Sequence, residues 1–168
     1  MTRPILIAVA GLGLMSCGQE GGESASTTAP AAPAAPETPA PTEAERAALL
    51  AALPAPYSEA DLDNGRRVFA RCRSCHKINE GGSNMTGPNL HGVFGRTAGG
   101  LEGYNYSTAL REAGFVWNGE RLDHWLENPR TFLKGTKMSF AGIPDATDRR
   151  DVIAFLKVET GFDADDRP

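Results

Sequence analysis

Two thiols and an imidazole sit within five consecutive positions, Cys72, Arg73, Ser74, Cys75 and His76. The pattern C-x-x-C-H is the attachment signature of a c-type haem. Two thiols add across the two vinyl groups of the porphyrin to form thioethers, and the histidine ligates the iron. In a helical segment Cys72 and His76 stand four residues apart and share a face. Cys75 lies on the same turn, so one turn carries both covalent bonds and the proximal ligand. Other chemistries use part of this pattern. A zinc half-site needs a second pair of ligands, and the only other cysteine is Cys17 near the N-terminus. A thioredoxin-like dithiol needs a βαβ setting, which the flanking sequence does not offer.

A haem iron held by one histidine has a sixth position. Downstream of the motif, Met85, His91, His124 and Met138 are able to fill it. Spacing alone does not choose among them. His91 follows the motif closely for a chain that must cross to the far side. His124 lies opposite Trp125 on a helical stretch, where a surface position is expected. Met138 ends the glycine-containing stretch Lys134-Gly135-Thr136-Lys137-Met138, as suits a ligand carried on a loop, although methionine also fills cores.

The elements that must position these groups occupy only part of the chain. Its 168 residues carry a net charge of −4, which suits one domain and lacks the basic excess of a nucleic-acid binder. Residues 1–17 read as a signal peptide, with Arg3 before the apolar run Ile5 to Met15. That run is shorter than the roughly 20 residues a membrane-spanning helix requires. It ends Leu14-Met15-Ser16-Cys17, which resembles the lipobox of bacterial lipoproteins. The resemblance implies cleavage before Cys17, lipidation of its thiol, and a periplasmic protein held to the membrane. The alternative is an ordinary signal peptide and a soluble periplasmic protein. Residues 18–56 form a Pro/Ala-rich tether, with Pro30, Pro33, Pro36, Pro39 and Pro41 among Ala, Thr and Glu. Such a composition lacks the apolar surface to offset ordering and favours extended polyproline geometry. Within it, residues 43–52 have helix-forming residues, stopped by Pro54 and Pro56.

The folded domain spans 57–168 and reads as all-α. Ser58 with Asp61 suggests a capping box, followed by Leu62, Val68, Phe69 and Cys72 at helical spacing. Gly65 shares that face and suits close approach of a second helix. Ser107 caps a short helix ending at Gly114. Asn118 caps another, with Leu122, Trp125 and Leu126 on one face and Pro129 at its end. Thr147 caps the last helix, whose buried stripe is Val152, Ile153, Phe155 and Leu156 and whose end is Gly161. Glycine-rich loops join these helices, and loops that long need a body to wrap around. A haem is such a body.

From Asp63 to Lys157 the chain resembles class I c-type cytochromes, especially the mitochondrial type and its bacterial membrane-anchored relatives. The resemblance rests on Gly87-Pro88-Asn89-Leu90-His91-Gly92-Val93-Phe94-Gly95-Arg96, Gly103-Tyr104-Asn105-Tyr106, Leu126-Glu127-Asn128-Pro129, Gly135-Thr136-Lys137-Met138 and Asp151 to Lys157. It implies the cytochrome c fold, short helices and long loops around one haem c covalently held by Cys72 and Cys75. It also implies His76 and Met138 as axial ligands and the Pro88 carbonyl as acceptor for His76 Nδ1–H. Arg96, Tyr106 and Trp117 are implied around the propionates, and Phe140 near the exposed haem edge. Gly65, Phe69, Val152 and Phe155 are implied at the contact of first and last helices. The sequence departs from the mitochondrial pattern at Trp125, Leu110 and Lys134, and is one residue shorter before Cys72. These changes alter hydrogen bonding and loop stiffness around Met138.

The expected function is one-electron transfer without catalysis, from a quinol–cytochrome c reductase to a haem–copper terminal oxidase or another periplasmic redox enzyme. The expected form is a monomer tethered to the membrane. Alternatives are a dedicated electron-entry subunit of a periplasmic enzyme complex, and a haem peroxidase or sensor with an open iron site. From Tyr57 onward there are 15 basic and 16 acidic residues, so local clustering decides the electrostatics. Arg71, Arg73, Lys77, Arg130, Lys134 and Lys137 flank the haem-binding segments and suit steering toward acidic docking sites.

Overall fold

A computed structural model of the protein describes residues 40–162. The signal peptide, Cys17 and the tether through residue 39 lie outside the described residues. Among the described residues six helices appear: α1 Glu43–Ala51, α2 Leu62–Phe69, α3 Thr108–Arg111, α4 Gly119–Glu127, α5 Pro129–Phe132 and α6 Ala146–Thr160, with a 3₁₀ turn at Tyr57–Glu59. The fold is all-α, and the pairing between Thr97 and Val116 is an isolated antiparallel bridge.

The fold is organised on the crossing of α2 and α6. Gly65 makes the close approach possible. A Cβ there would overlap the Asp151 carbonyl oxygen and lie 2.7 Å from Phe155 Cβ. Phe69 and Phe155 pack with ring centroids 5.6 Å apart. The buried Asp151 carboxylate accepts from the Asp61 amide at 3.2 Å and from Asn64 Nδ2 at 3.0 Å, which fastens the start of α2 to α6. Arg149 holds α4 in turn, through Asp123 at 2.8 Å and the Ile143 and Pro144 carbonyls at 2.9 Å each.

Three local expectations are corrected. Asp61, not a Ser58 capping box, caps α2, with its carboxylate accepting from the Asp63 and Asn64 amides. Asp145 rather than Thr147 caps α6, accepting from the Asp148 amide. In both places more than one polar residue stood at a plausible spacing, and only the backbone dihedrals select the cap. The third correction concerns the tether, expected to run to residue 56: the brief helix expected over residues 43–52 forms, but it packs on the domain. Residues 43–51 form α1, opened by a Thr42–Glu45 capping box. This helix packs on α6, where Arg46 Nε bonds Glu159 at 2.5 Å. Leu53 is buried with Ala60, Ala154 and Val158, and Leu49 and Leu50 pack against them. That contact accounts for the burial of Ala154 and Val158 beyond the four-residue apolar stripe of α6, whereas Lys157 is buried against the Tyr57 and Phe94 rings.

Candidate cofactor site

Helix α2 ends at Phe69 and delivers the motif through successive tight turns. The Cys72 amide bonds the Phe69 carbonyl at 2.8 Å, and the Cys75 and His76 amides both donate to the Cys72 carbonyl at 3.0 Å. The i to i+4 bond closes one turn between Cys72 and His76. The two cysteines are not joined to each other and both are partly buried. Burial pushes the Cys72 thiol up to about 11, with the Arg71 guanidinium pulling the other way.

His76 Nδ1 lies 2.8 Å from the Pro88 carbonyl oxygen. A carbonyl only accepts, so Nδ1 carries the proton and Nε2 keeps its lone pair. Burial holds the ring below the ordinary histidine value, opposed by that hydrogen bond. A neutral imidazole with a fixed tautomer is the form that ligates a metal. Gly87 sits against the ring, where a Cβ would overlap it.

Asn89 builds the loop that presents Pro88, and the sequence reading did not single it out. It is buried, and its Nδ2 donates to the Asn79 carbonyl at 2.9 Å and the Gly82 carbonyl at 2.7 Å. Its Oδ1 accepts from the His91 amide at 2.8 Å. A side chain amide able to bond in several directions within a glycine-rich loop is the signal that could have marked it.

The expected propionate residues come together through the Thr97–Val116 bridge. Gly95 donates to the Trp117 carbonyl at 2.9 Å and Trp117 to the Arg96 carbonyl at 2.8 Å, so Arg96 and Trp117 are neighbours. Arg96 Nη1 bonds the Asn89 carbonyl at 2.9 Å and Nη2 the His91 carbonyl. Burial raises the Tyr106 hydroxyl above the ordinary tyrosine value, and the adjacent Arg96 guanidinium opposes the shift. Trp117 packs edge-on to Trp125 at 5.4 Å and to Phe115 at 4.8 Å. Trp125 also meets Phe132 edge-on at 6.0 Å, so the unusual tryptophan belongs to an aromatic cluster.

Of the possible sixth ligands, Met138 is partly buried against the core, with its amide 3.2 Å from Thr136 Oγ1. Lys137 fastens this loop through the Asn105 and Tyr106 carbonyls, both at 3.1 Å. Met85 is 42% exposed. His124 is exposed on α4, and His91 is partly buried. Phe140 packs against the core, with the Arg71 guanidinium 5.4 Å from its ring centre. Arg71 also bonds the Gly142 carbonyl at 3.2 Å, linking the motif to the loop after Met138. Among the described residues no group of three His, Cys, Asp or Glu side chains gathers to hold a metal ion, so the zinc half-site finds no further ligands there. Unpaired thiols, a neutral imidazole with a free Nε2 and a glycine against its ring fit a thioether-linked haem.

Comparison with known proteins agrees. The cytochrome c family model matches residues 62–158. Cytochrome c of Gibberella zeae is 45% identical over 101 residues, covering 60% of this chain and 95% of that protein. Cytochrome c of Stellaria longipes is 44% identical over 105 residues, covering 62% and 97%. Among solved structures, cytochrome cH from Methylobacterium extorquens is similar, with a TM-score of 0.56 and 40% identity, covering 60% of this chain and all of that one. The chain belongs to the cytochrome c family of electron carriers. It carries one c-type haem, bound covalently through Cys72 and Cys75. Helix α1 precedes the residues that the family model matches.

Proposed function

We propose that this protein is a membrane-tethered one-electron carrier of a respiratory chain, with His76 and Met138 as its axial ligands. The bond between His76 Nδ1 and the Pro88 carbonyl carries the reading, because it fixes one neutral imidazole with its free nitrogen ready to ligate. The bound haem supplies an iron that exchanges one electron between its ferrous and ferric states. The chain's own residues set the conditions. His76, held by Pro88, keeps its orientation in both states. Met138, on a loop pinned by Lys137, would hold the iron opposite His76 and would leave no place for a substrate. Arg96, Tyr106 and Trp117 meet the propionates. Phe140 would lie near the exposed edge of the haem, where electrons would enter and leave.

The donor is a quinol–cytochrome c reductase and the acceptor a haem–copper terminal oxidase or a comparable periplasmic enzyme. Cys17, lipidated after signal-peptide cleavage, anchors the chain. The protein works as a monomer. The optical spectrum of the ferric protein tests the ligation. A weak red band of methionine-ligated iron, lost in Met138→Ala, is expected. Rapid carbon monoxide binding by the reduced wild type would overturn the carrier reading in favour of a peroxidase or sensor. Mass spectrometry of the mature N-terminus tests the anchor separately.

A further inference from the structure

We infer that a cleft on the His76 side of the molecule docks a segment of a redox protein in which an apolar side chain is flanked by carboxylates. The inference rests on the carrier reading and adds a surface built partly by α1. The cleft has a volume of about 640 Å³ and lies where α1, α2, α6 and the loop after His76 meet. Its lining separates by chemistry. Ile78 and Met85 make the accessible apolar part, above the buried Phe69 and Phe155 rings, and Met85 is 42% exposed although large and hydrophobic. Arg46, Arg66, Arg73 and Lys77 make the cationic part, and His76 also lines the cleft.

The charge is unbalanced. Among the described residues that line the cleft, Glu159 is the only carboxylate, and Arg46 holds it at 2.5 Å. Lys77 bonds a neutral acceptor, Ser83 Oγ, at 2.9 Å. Arg66 reaches Asp63 only at 3.7 Å, with both side chains more than half exposed, a pairing of little energetic weight. Cations around an apolar patch match carboxylates around an apolar anchor, the arrangement that gives a docking surface both steering and grip. A flat bilayer does not enter a cleft, whereas a protruding segment does. A segment seated there touches the loop that carries the iron ligand. Arg46 lies outside the residues that the family model matches, so the matched segment does not supply this surface alone.

The test uses the full-length, haem-loaded, reduced protein, labelled for amide spectroscopy. Three probes are compared: the blocked peptide Glu-Glu-Leu-Leu-Glu-Glu, blocked hexaglutamate, and phosphatidylglycerol vesicles. The first should shift amides around Arg46, Arg66, Arg73, Lys77 and Met85, and hexaglutamate should bind less tightly. Met85→Ser should weaken the leucine peptide about fivefold or more through lost apolar contact. Arg66→Glu with Lys77→Glu should weaken it at least about tenfold. All three side chains are exposed, and an unchanged optical spectrum shows the fold intact. No binding at millimolar peptide, indifference to Met85→Ser, shifts centred on Lys134 and Lys137, or binding to vesicles alone would each overturn the inference. The carrier reading is judged on the same sample by the red band and carbon monoxide, so the two fail independently.

Discussion

The residues around His76 leave no slack. Gly87 lies where any Cβ would meet the imidazole, so Gly87→Ala must push the ring or the loop. It should destabilise the haem-loaded protein by about 1–3 kcal/mol, the usual range for overpacking. It should also disturb the iron spectrum, and denaturant unfolding with optical detection reads both. A second residue-scale prediction concerns Lys157, 1% exposed, with its ammonium 4.3 Å from the Phe94 ring centre. Burial lowers its pKa from 10.5 to about 8. Between those values the unfolded chain binds more protons than the folded one, so this group makes stability rise as pH rises. Tyr57 opposes it at higher pH: burial raises its hydroxyl from 10.0 to about 12, so its contribution falls across that range. Lys157→Met should remove the rise between pH 8 and 10.5. Unfolding free energies measured across that window check it, and a slope unchanged from wild type would refute the assignment.

At the scale of elements, two contacts with α6 make separable predictions. Gly65→Ala forces α2 away from α6 and should cost about 1–3 kcal/mol, with the loss seen in the global unfolding transition. Arg46→Ala removes a bond between side chains only 18% and 11% exposed. The expected loss is about 1.5–3 kcal/mol, the range for hydrogen bonds to charged groups. It should appear as faster amide exchange in α1, with the haem spectrum unchanged. If α1 exchanges no faster in the variant, the helix does not depend on Glu159.

At the scale of the molecule, the proposed function depends on charge placement rather than net charge. Arg71, Lys77, Arg130 and Lys137 all make hydrogen bonds to neutral oxygens, which leave their charges available to a partner. Electron exchange with an acidic partner should therefore slow as ionic strength rises, since screening shortens the range of steering to about 8 Å near physiological salt. Stopped-flow rates across a salt series check this, and a flat dependence would exclude electrostatic steering.

The sequence by itself determined the chemistry and most of the elements. C-x-x-C-H places two thiols and an imidazole on one turn whatever surrounds it, and apolar spacing located α2, α4 and α6 because periodicity is a local property. The Ser107 and Asn118 caps were legible for the same reason. What lay outside local spacing was decided by tertiary structure. Only the returning chain brings Pro88 to His76, twelve residues away, and only the fold makes Asn89 the node of that loop. The Thr97–Val116 bridge sets Arg96 beside Trp117, a meeting no period in the sequence encodes. Residues 43–52 are legible as a brief helix from their alanine, leucine, glutamate and arginine, but their proline-rich neighbourhood assigns them to a tether. Burial of Leu53 and the Arg46–Glu159 bond make them part of the domain instead, because a short helix gains its stability from the surface it covers.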